Sequence, residues 1–146
     1  MEKVDRTHWE RAELFEFFSA VSHPFYSVTF RVDVTNLYRY VKERHLSFYY
    51  AMGYLVTDAV NSVKNFRYAI RNGEILRLDE RIPSLTDLHP GSEHFHIVTL
   101  PKTGSIADFC AAAQARSAAQ KTLLDQDEES DDLIYMSCTP WFDLTG

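Results

Sequence analysis

Three of the six histidines fall close together in the second half of the chain, at His89, His94 and His96. Alternate residues of an extended segment point to the same side, so His94 and His96 could offer two imidazole ligands to one metal ion. No cysteine or carboxylate completes a familiar ligand spacing around them. The pattern therefore favours exposed or hydrogen-bonded histidines, and no metal site is predicted.

Hydroxyl and thiol groups follow near the C-terminus, where Ser137 and Cys138 lie in the run IYMSCTPW (residues 134–141). A serine hydroxyl can donate a hydrogen bond to a developing oxyanion, although a serine in a strand is also commonly satisfied by a neighbouring strand. The thiol of Cys138 is predicted to be buried and inert. The acidic run from Asp125 to Asp132 could bind a cation, but a solvated loop is the favoured interpretation.

Composition restricts the classes of function. The chain has 146 residues, 45% of them hydrophobic, which predicts one globular domain over residues 1–146. A formal net charge of −6 without a basic patch argues against a nucleic-acid partner. The cysteines are too few for a disulfide framework, and the N-terminal residues lack the apolar run of a signal peptide. No apolar stretch is long enough to span a membrane, so a cytoplasmic protein is expected.

Helix signals occur in both halves of the chain. Thr7 followed by Glu10 has the spacing of a capping box for a first helix. Thr35 is predicted to cap a second helix. Ser47 and Ser105 are predicted to cap two longer helices, the later of which is rich in alanine, a strong helix former.

Strand signals lie between these helices. Residues 26–34 (YSVTFRVDV) are β-branched, aromatic and roughly alternating, which predicts a strand. Asn72-Gly73 between two strand-like runs predicts a tight hairpin, because both central residues of such a turn take positive φ. Further strands are predicted around Ser84–Leu88, Phe95–Leu100 and Leu133–Cys138. The pattern indicates α+β or mixed α/β layering, with helices packed on a mixed sheet.

Five short segments occur along the chain in a characteristic order. They are WERAELF (9–15), FYY continuing to AVN (48–61), FRYAI continuing to NGEI (66–75), EHF (93–95) and SCTPW (137–141). No segment is specific alone, but together they resemble the chloramphenicol acetyltransferase family over nearly the whole chain. The resemblance implies an α/β (α+β) two-layer sandwich in which a mixed β-sheet packs against helices.

The resemblance also implies a reaction and residue roles. Members transfer an acetyl group from acetyl-coenzyme A to a hydroxyl of the antibiotic, with a histidine of an HHxxxDG motif as general base. It places the oxyanion-stabilising serine at Ser137 and a structural arginine of the first helix at Arg11. It places the substrate-binding aromatic residues at Phe17, Phe18 and Phe95, so Ser137 and Phe95 should share one concave wall. Members are homotrimers with active sites at subunit boundaries, which implies a homotrimer here.

One departure limits what the resemblance carries over. No His-His pair occurs in the sequence, and the aspartate that would pair with Arg11 is missing with it. The resemblance covers about the N-terminal two-thirds of a typical member, so the chain is expected to be a partial acetyltransferase domain that is inactive without its general base. The alternative is a truncated, non-catalytic relative that binds a small molecule or oligomerises. Arg11 is expected to face water or an acid such as Glu13 or Asp33, because a buried unpaired guanidinium is costly.

Overall fold

A computed structural model of the chain describes residues 1–124 and 130–141, so most of the predicted acidic loop lies outside the described residues. The helices are α1 (Ala12–Ser19), α2 (Thr35–Glu43), α3 (Phe48–Ser62) and α4 (Ile106–Ala119). The strands are β1 (Glu2–Lys3), β2 (Tyr68–Arg71), β3 (Glu74–Arg77), β4 (Ile82–Leu88), β5 (Phe95–Thr99) and β6 (Leu133–Met136). None of the helices in these ranges has both the length and the hydropathy needed to cross a lipid bilayer.

The strands form two three-stranded sheets within the described ranges. The first is antiparallel with the order β1-β3-β2. The second has the order β5-β4-β6, with β4 antiparallel to β5 and parallel to β6. The parallel register pairs Leu85 with Met136, which sets the residues that follow them side by side. The predicted α+β architecture with a mixed sheet is confirmed, and its strands divide between two small sheets.

Three predictions made from turn and cap chemistry are confirmed, whereas the predicted cap at Thr35 is wrong, because Val34 takes the N-cap position of α2 and no side chain caps that helix. Asn72 and Gly73 join β2 to β3 with φ values of 53° and 77°. The Ser47 hydroxyl accepts a hydrogen bond from a backbone N–H of the first turn of α3 at 3.3 Å. Ser105 and Asp108 form the reciprocal capping box of α4, with each side chain accepting from the other residue's backbone N–H. These signals are local, which explains why the sequence reveals them.

The predicted start of the first helix is wrong. The helix begins at Ala12, with Arg11 in the N-cap position. The Thr7 hydroxyl instead donates to a carboxylate oxygen of Asp5 at 2.6 Å, and its backbone N–H donates to the same oxygen at 3.0 Å. Asp5 therefore engages the threonine in a local turn, and the predicted capping box does not form.

The predicted strand over residues 26–34 is also not formed in the described chain. The segment joins no sheet ladder, and its apolar side chains point into solvent. Phe25 is 84% exposed, Tyr26 83% and Phe30 75%. Alternation alone cannot make a strand, because a strand needs a partner for its backbone N–H and C=O groups.

The core lies where α3 and α4 pack on the second sheet. Phe109 of α4 and Leu85 of β4 are almost completely buried, and burial of one such side chain contributes about 1.5–3 kcal/mol. Gly53 permits the close approach of α3 to β4, since a Cβ atom there would lie 3.1 Å from the Leu85 side chain. This packing carries Tyr49 and Tyr50, in the first turn of α3, to the ends of the sheet strands.

Candidate functional site

A cleft of about 420 Å³ opens where β4, β5 and the segment after β6 meet. Pockets for small molecules commonly have volumes of about 300–1,000 Å³. The predicted convergence of Ser137 and Phe95 is confirmed, because both residues border this cleft. The described residues that line it are Tyr49, Thr86, Asp87, Leu88, Glu93, Phe95, Ser137, Cys138, Thr139, Pro140 and Trp141.

The Ser137 hydroxyl is placed by the neighbouring strand. The register of β4 and β6 sets Ser137 beside Thr86, and the Thr86 hydroxyl donates to Ser137 Oγ at 3.0 Å. A hydroxyl has one proton and two acceptor lone pairs, so a serine that accepts from Thr86 keeps its own proton for another oxygen. Ser137 is exposed at the cleft. The Ser137 hydroxyl is therefore placed to donate a hydrogen bond to an oxygen atom of a ligand.

Tyr49 fastens helix α3 to this edge of the sheet. Its phenol donates to the Thr86 carbonyl oxygen at 2.7 Å and lies 3.3 Å from the Met136 carbonyl oxygen. Burial raises the pKa of Tyr49, with a smaller contribution from the charge of Asp87. The phenol therefore stays protonated and holds β4 and β6 together just before Ser137.

The prediction that Cys138 is a buried thiol is wrong. Strand β6 ends at Met136, so Cys138 lies beyond the sheet, where it is exposed and borders the cleft. The buried thiol is Cys110, which lies among the core side chains of α4. Burial raises the pKa of Cys110, as expected for an unreactive core thiol.

The two other aromatic residues assigned by resemblance do not border this cleft. Phe17 and Phe18 of α1 are 66% and 52% exposed, and their ring centroids lie 5.2 Å apart. Phe18 borders a second hollow with Phe25 and Tyr26. A substrate-binding role for Phe17 and Phe18 stays a prediction.

Arg11 lies at the N-terminal end of α1, with its side chain exposed. The expectation that it faces water therefore agrees with the structure. An exposed guanidinium avoids the desolvation cost of an unpaired buried charge. Its predicted structural support of a catalytic loop stays a prediction.

A polar network that the sequence did not indicate lies behind the cleft. The Asp87 carboxylate accepts hydrogen bonds from the Tyr50 hydroxyl and from the Leu88 backbone N–H, and the Ser117 side chain also favours its charged form. Burial acts to raise the pKa of Asp87, but these hydrogen bonds outweigh it and leave the pKa below its ordinary value. Ser117 in turn contacts His96, with 2.9 Å between Oγ and Nε2. The network joins α3 and α4 to β4 and β5 around an ionised carboxylate.

This network contains serine, histidine and aspartate, but it is not a nucleophilic triad. In a triad the carboxylate orients the histidine ring, whereas here the Asp87 carboxylate accepts from the Tyr50 hydroxyl and the Leu88 backbone N–H. The Nδ1 atom of His96 is buried without a hydrogen-bond partner. Ser117 is only 7% exposed and does not border the cleft, so no substrate could reach its hydroxyl.

The three neighbouring histidines separate in the structure. His96 is 4% exposed and lies against α4, whereas His94 is exposed. Strand β5 begins at Phe95, so regular alternation does not extend back to His94 and the two rings do not share one environment. His89 stacks on His96 instead, with ring centroids 4.1 Å apart. Across residues 1–124 and 130–141, no three His, Cys, Asp or Glu side chains are grouped to hold a metal ion.

Comparisons with known proteins point to one family. Residues 1–146 match the family model described as chloramphenicol acetyltransferase. Chloramphenicol acetyltransferase 3 of Escherichia coli is 28% identical over 142 residues, which cover 95% of this chain and 67% of that protein. The chloramphenicol acetyltransferase of Clostridium perfringens is 30% identical over 149 residues, which cover 99% of this chain and 70% of that protein.

A solved structure of a chloramphenicol acetyltransferase has the same fold. It superposes with a TM-score of 0.83 over 99% of this chain and 72% of the other, at 23% sequence identity. The fold and the match of the family model along the whole chain lead to one assignment. The chain belongs to the chloramphenicol acetyltransferase family.

Proposed function

We propose that the cleft is the acyl-acceptor site of an acetyltransferase of this family, and that Ser137 is the donor that stabilises the tetrahedral oxyanion. The observation that carries the proposal is the contact between Thr86 and Ser137. This contact leaves the serine proton available at the wall of a cleft whose other residues include Phe95. A donor held in place before the reaction begins stabilises the developing charge without reorganisation.

The reaction needs few groups from the protein. A general base removes the proton of the acceptor hydroxyl, and the acceptor oxygen attacks the thioester carbonyl carbon of acetyl-coenzyme A. The carbonyl oxygen becomes the oxyanion, which accepts a hydrogen bond from Ser137. The carbon–sulfur bond then breaks, and the coenzyme A sulfur leaves and takes a proton. In this scheme Ser137 acts mainly on the transition state, where one such donor is worth about 2.7–4 kcal/mol.

The acceptor is proposed to be chloramphenicol or a similar small molecule that bears a hydroxyl group. Support comes from the names of the relatives and from the lining of the cleft. Phe95, Pro140 and Trp141 offer apolar surfaces, while Thr86 and Ser137 offer hydroxyl groups. Apolar walls with a few placed polar groups suit a small, largely neutral ligand.

The chain on its own is proposed to bind the acceptor without useful acetyl transfer. None of the described residues that border the cleft is a histidine, and the sequence contains no His-His pair. A general base typically contributes a rate factor of about 10²–10⁴. Turnover would then depend on a base that these 146 residues do not supply.

Self-association, as a homotrimer in the family pattern, is a second proposed role. The observation that favours it is the exposed apolar segment around Phe25, Val28 and Phe30, which are 84%, 66% and 75% exposed. Strand β6 lies at one edge of its sheet in the described chain, so an extended segment of another copy could pair there.

Titration calorimetry with chloramphenicol tests the acceptor site. The wild-type chain should bind, and Phe95→Ala should weaken binding by about tenfold, which corresponds to about 1.4 kcal/mol. Phe66→Ala is the matched control, because Phe66 is 54% exposed, as against 53% for Phe95, and does not border the cleft. Absence of binding, or equal losses in both variants, would reject the site.

A thiol-release assay with acetyl-coenzyme A and chloramphenicol tests the proposal about turnover. The chain alone should release no coenzyme A above the rate without enzyme. Turnover in the usual enzyme range of about 1–10³ per second would contradict it and require a different general base.

A further inference from the structure

The connection between β4 and β5 carries part of the cleft wall. Leu88, at the end of β4, and Phe95, at the start of β5, both border the cleft. The residue that follows each of them is a histidine, and the rings of His89 and His96 stack with centroids 4.1 Å apart and an interplanar angle of 15°. Neither histidine borders the cleft itself. The stacked pair therefore lies outside the cleft and is joined through the backbone to Leu88 and Phe95.

Each histidine also ties this connection to helix α4. His96 Nε2 lies 2.9 Å from Ser117 Oγ, and His89 Nε2 lies 2.9 Å from the carbonyl oxygen of Gln120. A carbonyl oxygen only accepts, so Nε2 of His89 carries a proton. Ser117 lies in α4 and Gln120 is its C-cap residue. The two contacts hold the connection against the C-terminal end of the helix.

The hydrogen bonds of His96 favour its neutral form. Ser117 Oγ lies 2.9 Å from His96 Nε2 and has lone pairs that can accept the Nε2 proton. The His96 Nδ1 atom is then an unprotonated nitrogen in a buried place without a partner. A second proton would create a buried N–H donor without an acceptor and a positive charge against the His89 ring. Both consequences are unfavourable.

The groups next to His96 are His89 beyond the end of β4, Asp87 in β4 and Ser117 in α4. Tyr50 of α3 binds the Asp87 carboxylate. Asp87 is the directly opposed residue in the ladder of β4 and β5, and its carboxylate favours a charged imidazole.

The balance of these effects is against protonation. Burial is the largest effect that lowers the pKa of His96, and His89 lowers it further. Asp87 and Ser117 act in the opposite direction but do not restore the ordinary value of 6.5.

We propose that His96 is a positioning residue of the acceptor cleft, which in its neutral form holds the β4–β5 connection against α4 through Ser117 and the stacked His89 ring. The assignment rests on the proposed function of the cleft as an acceptor site. Protonation of His96 separates the stack and shifts Leu88 and Phe95. The cleft consequently binds its acceptor less tightly in mildly acidic solution than at neutral pH.

Nuclear magnetic resonance titration of the ligand-free chain tests the positioning role. Imidazole signals and the backbone amides of Leu88 and Phe95 are followed from about pH 8 to about pH 5, the range in which histidines titrate. Both amides should shift with one midpoint, below the ordinary histidine value of 6.5 and equal to that of the His96 ring. Amides that stay fixed, or that follow the midpoint of exposed His94, would overturn the proposal.

Two variants separate His96 from other histidines. His96→Gln keeps an N–H donor near Ser117 but cannot titrate, so the shifts of Leu88 and Phe95 should disappear. His94→Gln makes the same change at an exposed site next to Phe95 and should leave them unchanged. Persistence of the shifts in His96→Gln would reject the role. If His96→Gln fails to fold, the wild-type titration still decides the proposal.

Chloramphenicol affinity supplies a second measurement. In the wild-type chain the dissociation constant should rise by about threefold or more between neutral and mildly acidic pH, whereas in His96→Gln it should stay constant. A pH-independent wild-type affinity would contradict the proposal. Failure of chloramphenicol to bind at any pH would reject the acceptor site, while the ligand-free titration would still decide whether His96 holds the connection.

Discussion

The Thr86 hydroxyl of β4 donates a hydrogen bond at 3.0 Å to the hydroxyl of Ser137, which lies 51 positions later, directly after the parallel strand β6. The contact arises from the register that sets Leu85 against Met136. It is supported by Tyr49, whose phenol binds the carbonyl oxygen of Thr86. A side chain of β4 therefore occupies an acceptor site of Ser137 and leaves the serine proton for another oxygen.

Thr86→Val tests the contribution of this contact to stability. Valine has the shape of threonine without the hydroxyl, so Ser137 loses its donor while the packing is kept. A hydrogen bond of this kind contributes about 0.5–1.5 kcal/mol net, and the free energy of unfolding should fall by that amount. Urea unfolding measures it. Thr86→Ser keeps the hydroxyl and should retain the hydrogen-bond contribution; equal losses in both variants would show that the contact does not contribute.

Ser105→Ala should destabilise the chain through helix α4. The serine accepts from the backbone N–H of Asp108, and the Asp108 carboxylate accepts from the backbone N–H of Ser105. Loss of the cap leaves an N–H of the first turn without its partner, which typically costs about 1 kcal/mol. Thermal unfolding should show a lower midpoint for Ser105→Ala and a nearly unchanged one for Ser105→Thr. A wild-type midpoint in the alanine variant would refute the role of the cap.

Local chemistry explains which parts of the fold could be predicted. The Asn72-Gly73 turn and the cap at Ser105 depend on residues within one turn, so the sequence is sufficient for both. Residues 26–34 alternate as a strand should, but the described chain offers them no partner. Whether an alternating segment joins a sheet depends on a second segment distant in sequence, which the pattern of the first cannot reveal.

The same distinction holds for the site. The SCTPW motif predicted a role for Ser137, and the resemblance predicted that it would meet Phe95. Neither indicated the network of Asp87, Ser117 and His96, because its members come from β4, α4 and β5 and meet only after packing. The alternation of His94 and His96 predicted one shared side for the two rings, with no metal site. In the structure His96 is buried against α4, whereas His94 is exposed to solvent.

The free energy of unfolding should decrease as the pH falls below about 6.5. The pKa of His96 is lowered in the folded chain, so the unfolded chain takes up a proton that the folded chain resists. The contribution of His96 to the free energy of unfolding is complete above the pKa that the residue has in the unfolded chain. Below that pKa the contribution falls by at most about 1.4 kcal/mol per pH unit.

Urea unfolding at several pH values, with His96→Gln as comparison, measures this contribution. The variant should show a flatter dependence just below about pH 6.5, the ordinary histidine value. Asp87 acts in a different window, because its lowered pKa affects stability only as the pH falls below its ordinary value of 3.8. The contradicting outcome is a free energy of unfolding that changes equally with pH in the wild type and in His96→Gln between pH 3.8 and about pH 6.5. That result would show that His96 takes up a proton as readily in the folded chain as in the unfolded chain.

The exposed segment around residues 25–32 should mediate self-association. Val28 and Phe30 are 66% and 75% exposed, and burial of each against another copy would contribute about 1.5–3 kcal/mol. Lysine on an unpaired extended segment opposes pairing with another chain, so the double change Val28→Lys, Phe30→Lys should raise the dissociation constant by about tenfold or more. Sedimentation velocity across a wide concentration range measures this dissociation constant.

Tyr38→Lys is the control: it adds charge at a 52% exposed aromatic residue of α2, outside the segment, and should associate as the wild type does. A wild-type chain that stays monomeric at all concentrations, or a double variant that associates equally well, would exclude this segment as the contact.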